Sequence, residues 1–382
     1  MPEPAATAAR PQRLLLLSVS AGAGHGRAAD ALCAAAQADF GAQTLHLDVM
    51  DYVPSTFRKL YTDLYLRLVD KFPALWAQLY RITDEAPPDA MPARLRRAIE
   101  RLNARSLRSA IADFAPDAIL CTHFLPAELL AREQSLGRLA CPVHVQVTDF
   151  DLHALWVVPG LAGYFAASDE VAARMRARGL PPARVHVSGI PIMPAFAQVP
   201  DRQTCAAAAG LDASRPIVLL MGGGAGVGAL DEAAEGLLRL DLDFQLVALA
   251  GRNESMLARL QRIAALYPQR LFPQGFTRTI ERLMGCADLA IGKLGGLTTS
   301  ECLALGLPMI VFAPIPGQEE RNCDYLLEQG AGLKAVDATA LEYRVRALLG
   351  DPQRLARMRD TARSLGRPQA ARQVLHQVLA TA

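Results

Sequence analysis

Three times in this chain a short apolar run breaks into clustered glycines and then into a helix-forming segment. Residues 13–20 lead into Ala21-Gly22-Ala23-Gly24-His25-Gly26, and Pro216 to Met221 lead into Gly222-Gly223-Gly224-Ala225-Gly226-Val227-Gly228. Cys286 to Ile291 lead into Gly292-Lys293-Leu294-Gly295-Gly296-Leu297-Thr298-Thr299-Ser300-Glu301. Strand, glycine turn, helix is the reading each time, and it commits the chain to parallel sheets with helical crossovers. Adjacent glycines let backbone approach a ligand closely, and a helix start offers free N–H groups to an anion. The 292–301 stretch is therefore the first candidate for a pyrophosphate or sugar-nucleotide site.

The remaining pattern extends this alternation. Further strands are expected near 44–49, 118–122, 143–148, 163–167 and 184–188, then near 244–250, 287–291 and 309–312. Gly189-Ile190-Pro191-Ile192 through Pro200 is proline-rich and loses periodicity, which marks an interdomain connection. The expected fold class is α/β, with two Rossmann-like doubly wound domains facing across a cleft, spanning 1–195 and 196–365. The tail from Asp337 is helical, broken at Gly350-Asp351-Pro352 and Gly366-Arg367-Pro368. Its last helix, 366–382, is expected to pack back on the N-terminal domain.

Composition narrows the function classes. With 382 residues, 51% of them apolar, the chain can bury two cores. A net charge of +2 gives no footing for a nucleic-acid partner. The seven cysteines are scattered without a CxxC, so reduced thiols are expected and a zinc site is not. Leu14–Leu17 after Arg10 and Arg13 imitates a signal peptide, but the run is short and flows into a glycine turn, so a buried strand is the better reading. No run reaches the roughly 18 apolar residues needed to span a bilayer. The expected location is cytoplasmic, with peripheral contact at the inner face of a membrane.

That contact is assigned to an insertion at 52–109. It interleaves Tyr52, Phe57, Tyr61, Tyr65, Phe72, Trp76 and Tyr80 with Arg58, Lys59, Arg67, Lys71 and Arg81, followed by Arg94, Arg96, Arg97, Arg101, Arg105 and Arg108. Basic amphipathic helices with aromatic faces suit a lipid interface. The plainer alternative is a helical cap with solvated charges.

Several residues carry candidate chemistry. His25 stands where an open α/β sheet places ligands, and a histidine is a base near neutral pH. Gly224-Ala225-Gly226-Val227-Gly228-Ala229 fits a dinucleotide fingerprint, but the following strand ends in Gly251-Arg252-Asn253 without the acidic ribose partner. Asp149-Phe150-Asp151 resembles a metal-binding DxD, although Asp149 is better placed to contact an acceptor or a histidine, as are His153 and Trp156. Glu301 either accepts ribose hydroxyls or closes a capping box begun by Thr298. Gln318 and Glu319, in Pro316-Gly317-Gln318-Glu319-Glu320-Arg321-Asn322, supply the paired donors and acceptors that a sugar needs.

Taken together these segments resemble glycosyltransferase family 28, in its diacylglycerol glycosyl-synthase branch. The motifs are L-L-S-V-S-A-G-A-G-H at 16–25, V-T-D at 147–149, S-G-I-P at 188–191, G-G-G-A-G-V-G at 222–228, G-K-L-G-G-L-T at 292–298 and P-G-Q-E-E-R-N at 316–322. The resemblance implies a GT-B fold and inverting transfer of a hexose from a UDP-sugar to a lipid hydroxyl, with diacylglycerol as the expected acceptor. It implies no cofactor and no essential metal. His25 would be the base, with Gly24, Asp149, His153 and Trp156 on the acceptor side. The donor would lie on Gly222, Gly223, Gly224, Gly226, Phe276 (near the uracil), Lys293, Gly295, Gly296, Thr298, Glu301 (ribose), Gln318 and Glu319 (sugar) and Asn322. Leu294 and Ala225 depart from the usual family pattern. A polyprenyl or soluble acceptor, a UDP-sugar epimerase and a non-catalytic sugar-nucleotide binder remain open alternatives.

Overall fold

Apolar side chains on both faces of a strand demand cover on both faces, and β1 (Arg13–Ser18) meets that demand from two directions. Leu15 and Leu17 face one apolar cluster with Ile119, Cys121 and Val145. Leu14 and Leu16 face another with Ala29, Leu32 and Phe165. The computed structural model describes residues 11–20, 22–53, 73–85, 104–222 and 230–381.

Two six-stranded sheets, parallel throughout, carry the chain. The first contains β1, β2 (Gln43–Asp48), β3 (Ala118–Cys121), β4 (Val143–Gln146), β5 (Gly163–Ala166) and β6 (Val185–Val187), in the order β2-β1-β3-β4-β5-β6. The second contains β7 (Ile217–Met221), β8 (Gln245–Leu249), β9 (Leu271–Gln274), β10 (Leu289–Gly292), β11 (Met309–Phe312) and β12 (Gly332–Ala335), in the order β12-β11-β10-β7-β8-β9. Strand order therefore reverses between β1 and β3 in one sheet and between β7 and β10 in the other. Crevices at the carboxyl ends of such reversals are where open α/β sheets bind ligands. The segments after β1, β3, β7 and β10 hold His25, Thr122, Gly222 and Gly292–Glu301.

The helices are α1 (Ala23–Phe40), α2 (Pro73–Glu85), α3 (Ala104–Phe114), α4 (Phe124–Ser135), α5 (Asp169–Ala177), α6 (Arg202–Ala208), α7 (Leu230–Leu238), α8 (Glu254–Leu266), α9 (Ile280–Cys286), α10 (Gly296–Leu305), α11 (Gln318–Gln329), α12 (Ala338–Leu349), α13 (Pro352–Leu365) and α14 (Ala370–Leu379). Ala371, Val374, Leu375 and Val378 of α14 lie against Leu14, Leu16 and Ala29, and Gln12 Nε2 donates to the Leu379 carbonyl at 2.9 Å. The last helix of the chain thus completes the first domain. A further cluster joins Ala28, Phe150 and Ile190 of the first domain to Leu294, Leu297 and Cys323 of the second, so the domains share apolar core.

Three expectations need correction. β9 and β12 are strands that the sequence reading passed over; both are sheet edges, where Pro273 and Gly332 are tolerated although they spoil a strand pattern. Helix α1 begins at Ala23, inside the expected glycine turn at 21–26, which places His25 in its first turn; Gly22, at φ 97°, makes the bend. Helix α10 begins at Gly296 with Gly295 as its cap, so Thr298 and Glu301 form no capping box.

Most of the 52–109 insertion, including Phe57, Arg58, Lys59, Tyr61, Tyr65, Arg67, Lys71, Phe72, Arg94, Arg96, Arg97 and Arg101, lies outside the described residues, as do Gly223, Gly224 and Gly226. Among the described residues no helix is long and apolar enough to cross a membrane.

Candidate active site

His25 is held by backbone. Its Nδ1 lies 2.9 Å from the Thr122 carbonyl oxygen at the end of β3 and 2.9 Å from Thr148 Oγ1 beyond β4. A carbonyl only accepts, so Nδ1 carries the proton and Nε2 keeps its lone pair. Among the described residues Nε2 has no hydrogen-bond partner, whereas the Thr122 hydroxyl donates to the His25 carbonyl at 2.9 Å. The His123 ring meets that of His25 edge-on at 4.7 Å, and the buried Trp156 lies 6.2 Å away. Burial lowers the His25 pKa, opposed in part by the Asp149 carboxylate and the Thr122 bond. A neutral imidazole with a fixed tautomer and a free Nε2 is what a general base requires.

The first turn of α10 faces the first turn of α1. A Cβ added to Gly24 would sit 3.9 Å from Leu297 Cβ, and one added to Gly296 would collide with the Thr148 carbonyl. A Cβ on Gly292 would meet the Met221 carbonyl at 2.7 Å, so this glycine is what lets β10 and β7 close at their ends. Leu294 takes φ 49° to turn the chain into the helix. Thr299 and Ser300 donate to the carbonyls of Leu294 and Gly296, at 3.0 and 2.9 Å. The amides of Gly296, Leu297 and Thr298 have no acceptor within a helix that starts here, which is the anion-ready arrangement. Glu301 points to the other domain, where Oε1 accepts from Arg27 Nη2 at 2.9 Å. Burial pushes its carboxyl up to about 7 even though Arg27 pulls it down.

The turn before α11 also crosses the cleft. Gln318 Nε2 donates to both oxygens of Asp149, at 2.8 and 3.0 Å. Asn322, fully buried, donates to Asp149 Oδ1 at 3.1 Å and accepts from the Phe150 amide at 2.7 Å. Asp149 is raised by its burial and lowered by these amides and by His25. Glu319 accepts from the Ile315 amide at 2.6 Å; burial pushes it up to about 7 against this bond and nearby Lys293. Arg321 binds Asp151 at 2.8 Å and Asp84 of α2 at 3.2 Å, while Arg174 takes the other Asp151 oxygen at 2.7 Å.

The structure thus brings His25, Asp149, Trp156, Gly295, Gly296, Glu301, Gln318, Glu319 and Asn322 to one cleft. Two placements differ from expectation. Asn322 spends both ends of its amide on 149–150. His153 spends both ring nitrogens, on the Leu155 amide at 3.2 Å and on Tyr80 O at 3.1 Å and Thr83 Oγ1 at 3.2 Å, which tethers α2. Asp149 and Asp151 hold different partners, and among the described residues no three His, Cys, Asp or Glu side chains cluster as metal ligands would. Phe276 is half exposed with the Arg252 guanidinium 4.6 Å over its ring. The Gly222 amide donates to the Leu249 carbonyl at 3.2 Å. Sequence reasoning missed Arg27, Thr122, Thr148, Asp84 and Arg321. Thr122, directly after a strand at the topological switch, had a positional signal, and Thr148 and Arg321 stood inside quoted motifs without a role assigned.

The architecture is the GT-B fold. MurG from Acinetobacter baumannii superimposes with a TM-score of 0.63 at 18% identity, over 97% of this chain and all of that one. UDP-GlcNAc 2-epimerase from Neisseria meningitidis, bound to UDP-GlcNAc, does so with a TM-score of 0.60 at 13% identity, over 97% and 100%. At such identities the likeness fixes the fold alone. The chain belongs to glycosyltransferase family 28: residues 25–192 match the model of monogalactosyldiacylglycerol (MGDG) synthase, and residues 217–374 match the family 28 C-terminal domain. Processive diacylglycerol beta-glucosyltransferase from Bacillus licheniformis is 30% identical over 266 residues, 69% of each chain. The enzyme of that name from Bacillus pumilus is 30% identical over 265 residues, 69% of this chain and 68% of its own.

Proposed function

We propose that this glycosyltransferase moves a hexose, with inversion, from a UDP-sugar to the hydroxyl of diacylglycerol. The observation that carries the reading is the clamp on His25 at the Thr122 carbonyl, facing the free helix start at Gly296 across the cleft. Nε2 of His25 takes the acceptor proton as the oxygen attacks the anomeric carbon from the face opposite UDP. The pyrophosphate leaves against the N–H groups that open α10, whose dipole neutralises the growing charge without calling on a metal. Glu301 accepts from the ribose, Phe276 stacks near the uracil, and the Gln318–Glu319 turn reads the sugar. Cleft closure excludes water and so suppresses donor hydrolysis.

The acceptor assignment draws on the names of the curated relatives, which also support glucose as the sugar. On this chain it is supported by α2, where Leu75, Leu79 and Ile82 are 48, 39 and 54% exposed at helical spacing. That face suits a peripheral lipid surface. His25→Ala tests the chemistry: transfer should fall at least 10²-fold, the span typical of a lost general base, while UDP binding measured by calorimetry is retained. Near-wild-type turnover would remove His25 as the base.

A further inference from the structure

Of the cleft carboxylates exposed to less than a tenth, Asp84, Asp149 and Asp151 each receive at least two hydrogen bonds, and one does not. Asp149 receives three hydrogen bonds from Gln318 and Asn322. Glu301, with a side chain only 5% exposed, receives a single one, from Arg27 of the other domain. Its Oε2 has no hydrogen-bond partner among the described residues. A buried charge with one partner is costly, and a protein keeps it where the unused oxygen has work to do. The ion pair is not what holds the domains together there, because α1 and α10 already touch through Gly24 and Leu297 and share an apolar cluster.

We propose that Arg27 is a positioning residue for the donor ribose: it is supplied by the acceptor-side domain, anchors one oxygen of Glu301 and leaves the other turned to the ribose diol. The inference rests on the donor reading above. Both hydroxyls of a ribose donate most simply to an ionised carboxylate, which accepts at every lone pair; a protonated one must itself donate. The charged groups facing Glu301 are Arg27 on α1 and Glu281 on α9, of opposite effect. Helix α13, also packed on α10, brings Arg363 only to the far end at Gly306. Arg27 is thus the one neighbour among the described residues that favours the charged form, and it completes the nucleotide site from across the cleft.

Calorimetric titration with UDP and with 2′,3′-dideoxy-UDP separates this role from simple packing, because the two probes share phosphate and base. Arg27→Gln should lose roughly tenfold in UDP affinity at pH 7. It should lose nothing for the dideoxy compound, recover toward pH 9 as Glu301 ionises unaided, and be largely rescued by Arg27→Lys. Equal losses for both probes, or undiminished UDP affinity, would overturn the proposal. Glu301→Gln is the reference: if it leaves the preference for UDP over the dideoxy compound intact, the ribose reading itself fails. If it erases a preference that Arg27→Gln retains, only the role of Arg27 fails.

Discussion

Three acids raised by burial and one base lowered by it decide the behaviour of the site, and their titrations run in opposite directions. His25 has a folded pKa below its ordinary value, so the unfolded chain binds the extra proton and His25 costs stability as pH falls below about 6.5. Glu319 is raised from 4.5 to about 7, so its burial costs nothing below pH 4.5 and an increasing amount as pH rises through 7. That shift corresponds to at most about 3 kcal/mol. Glu319→Gln, which keeps an acceptor for the Ile315 amide, should therefore raise the melting temperature of the ligand-free protein at pH 8 and leave it unchanged at pH 4.5. A gain of equal size at both pH values would contradict the assignment. The residues legible in the sequence were those that sit in local motifs, such as His25, Gly296 and Gln318. The contacts of Arg27 and Arg321 were not, although Arg321 stands in a motif, because they come from partners at distant positions: Arg27 meets Glu301, and Arg321 meets Asp84 and Asp151.

At the scale of elements, α2 has two unlike faces. Tyr80 covers Gly317 at the start of α11 and meets the His153 ring at a tilt, 4.5 Å between centroids, while Asp84 binds Arg178 at 3.1 Å and Arg321 at 3.2 Å. The outer face presents Leu75, Leu79 and Ile82. Changing all three to Ser should abolish sedimentation with anionic diacylglycerol vesicles while leaving UDP binding intact; unchanged sedimentation would detach α2 from the lipid surface. Sequence periodicity located most strands, because buried parallel strands are continuous apolar runs bounded by glycine. It failed at β9 and β12, whose edge positions relax the need for apolar cover. It also misplaced the starts of α1 and α10, since glycine marks a turn in sequence yet fits the first turn of a helix.

Across the whole molecule, the domain interface is part of the site. Asp149, Phe150 and Thr148 of one domain are gripped or approached by Asn322, Gln318 and Gly296 of the other. Asn322→Ala strands the Phe150 amide, at about 1–3 kcal/mol, and removes one of the three hydrogen bonds to Asp149, and should lower the urea midpoint accordingly. An unchanged midpoint would mean that the domains move apart rather than bear the loss. The two-domain plan was legible in the sequence because each domain repeats the same strand–glycine–helix grammar. The last helix was expected to pack back on the first domain, and α14 does so against Leu14 and Leu16. The central claim is the transfer itself. Incubating the protein with UDP-glucose, UDP-galactose and UDP-N-acetylglucosamine and diacylglycerol vesicles, and weighing the lipid product by mass spectrometry, tests it most directly. The account predicts diacylglycerol heavier by hexose from at least one donor; no glycosylated lipid from any of them would contradict it.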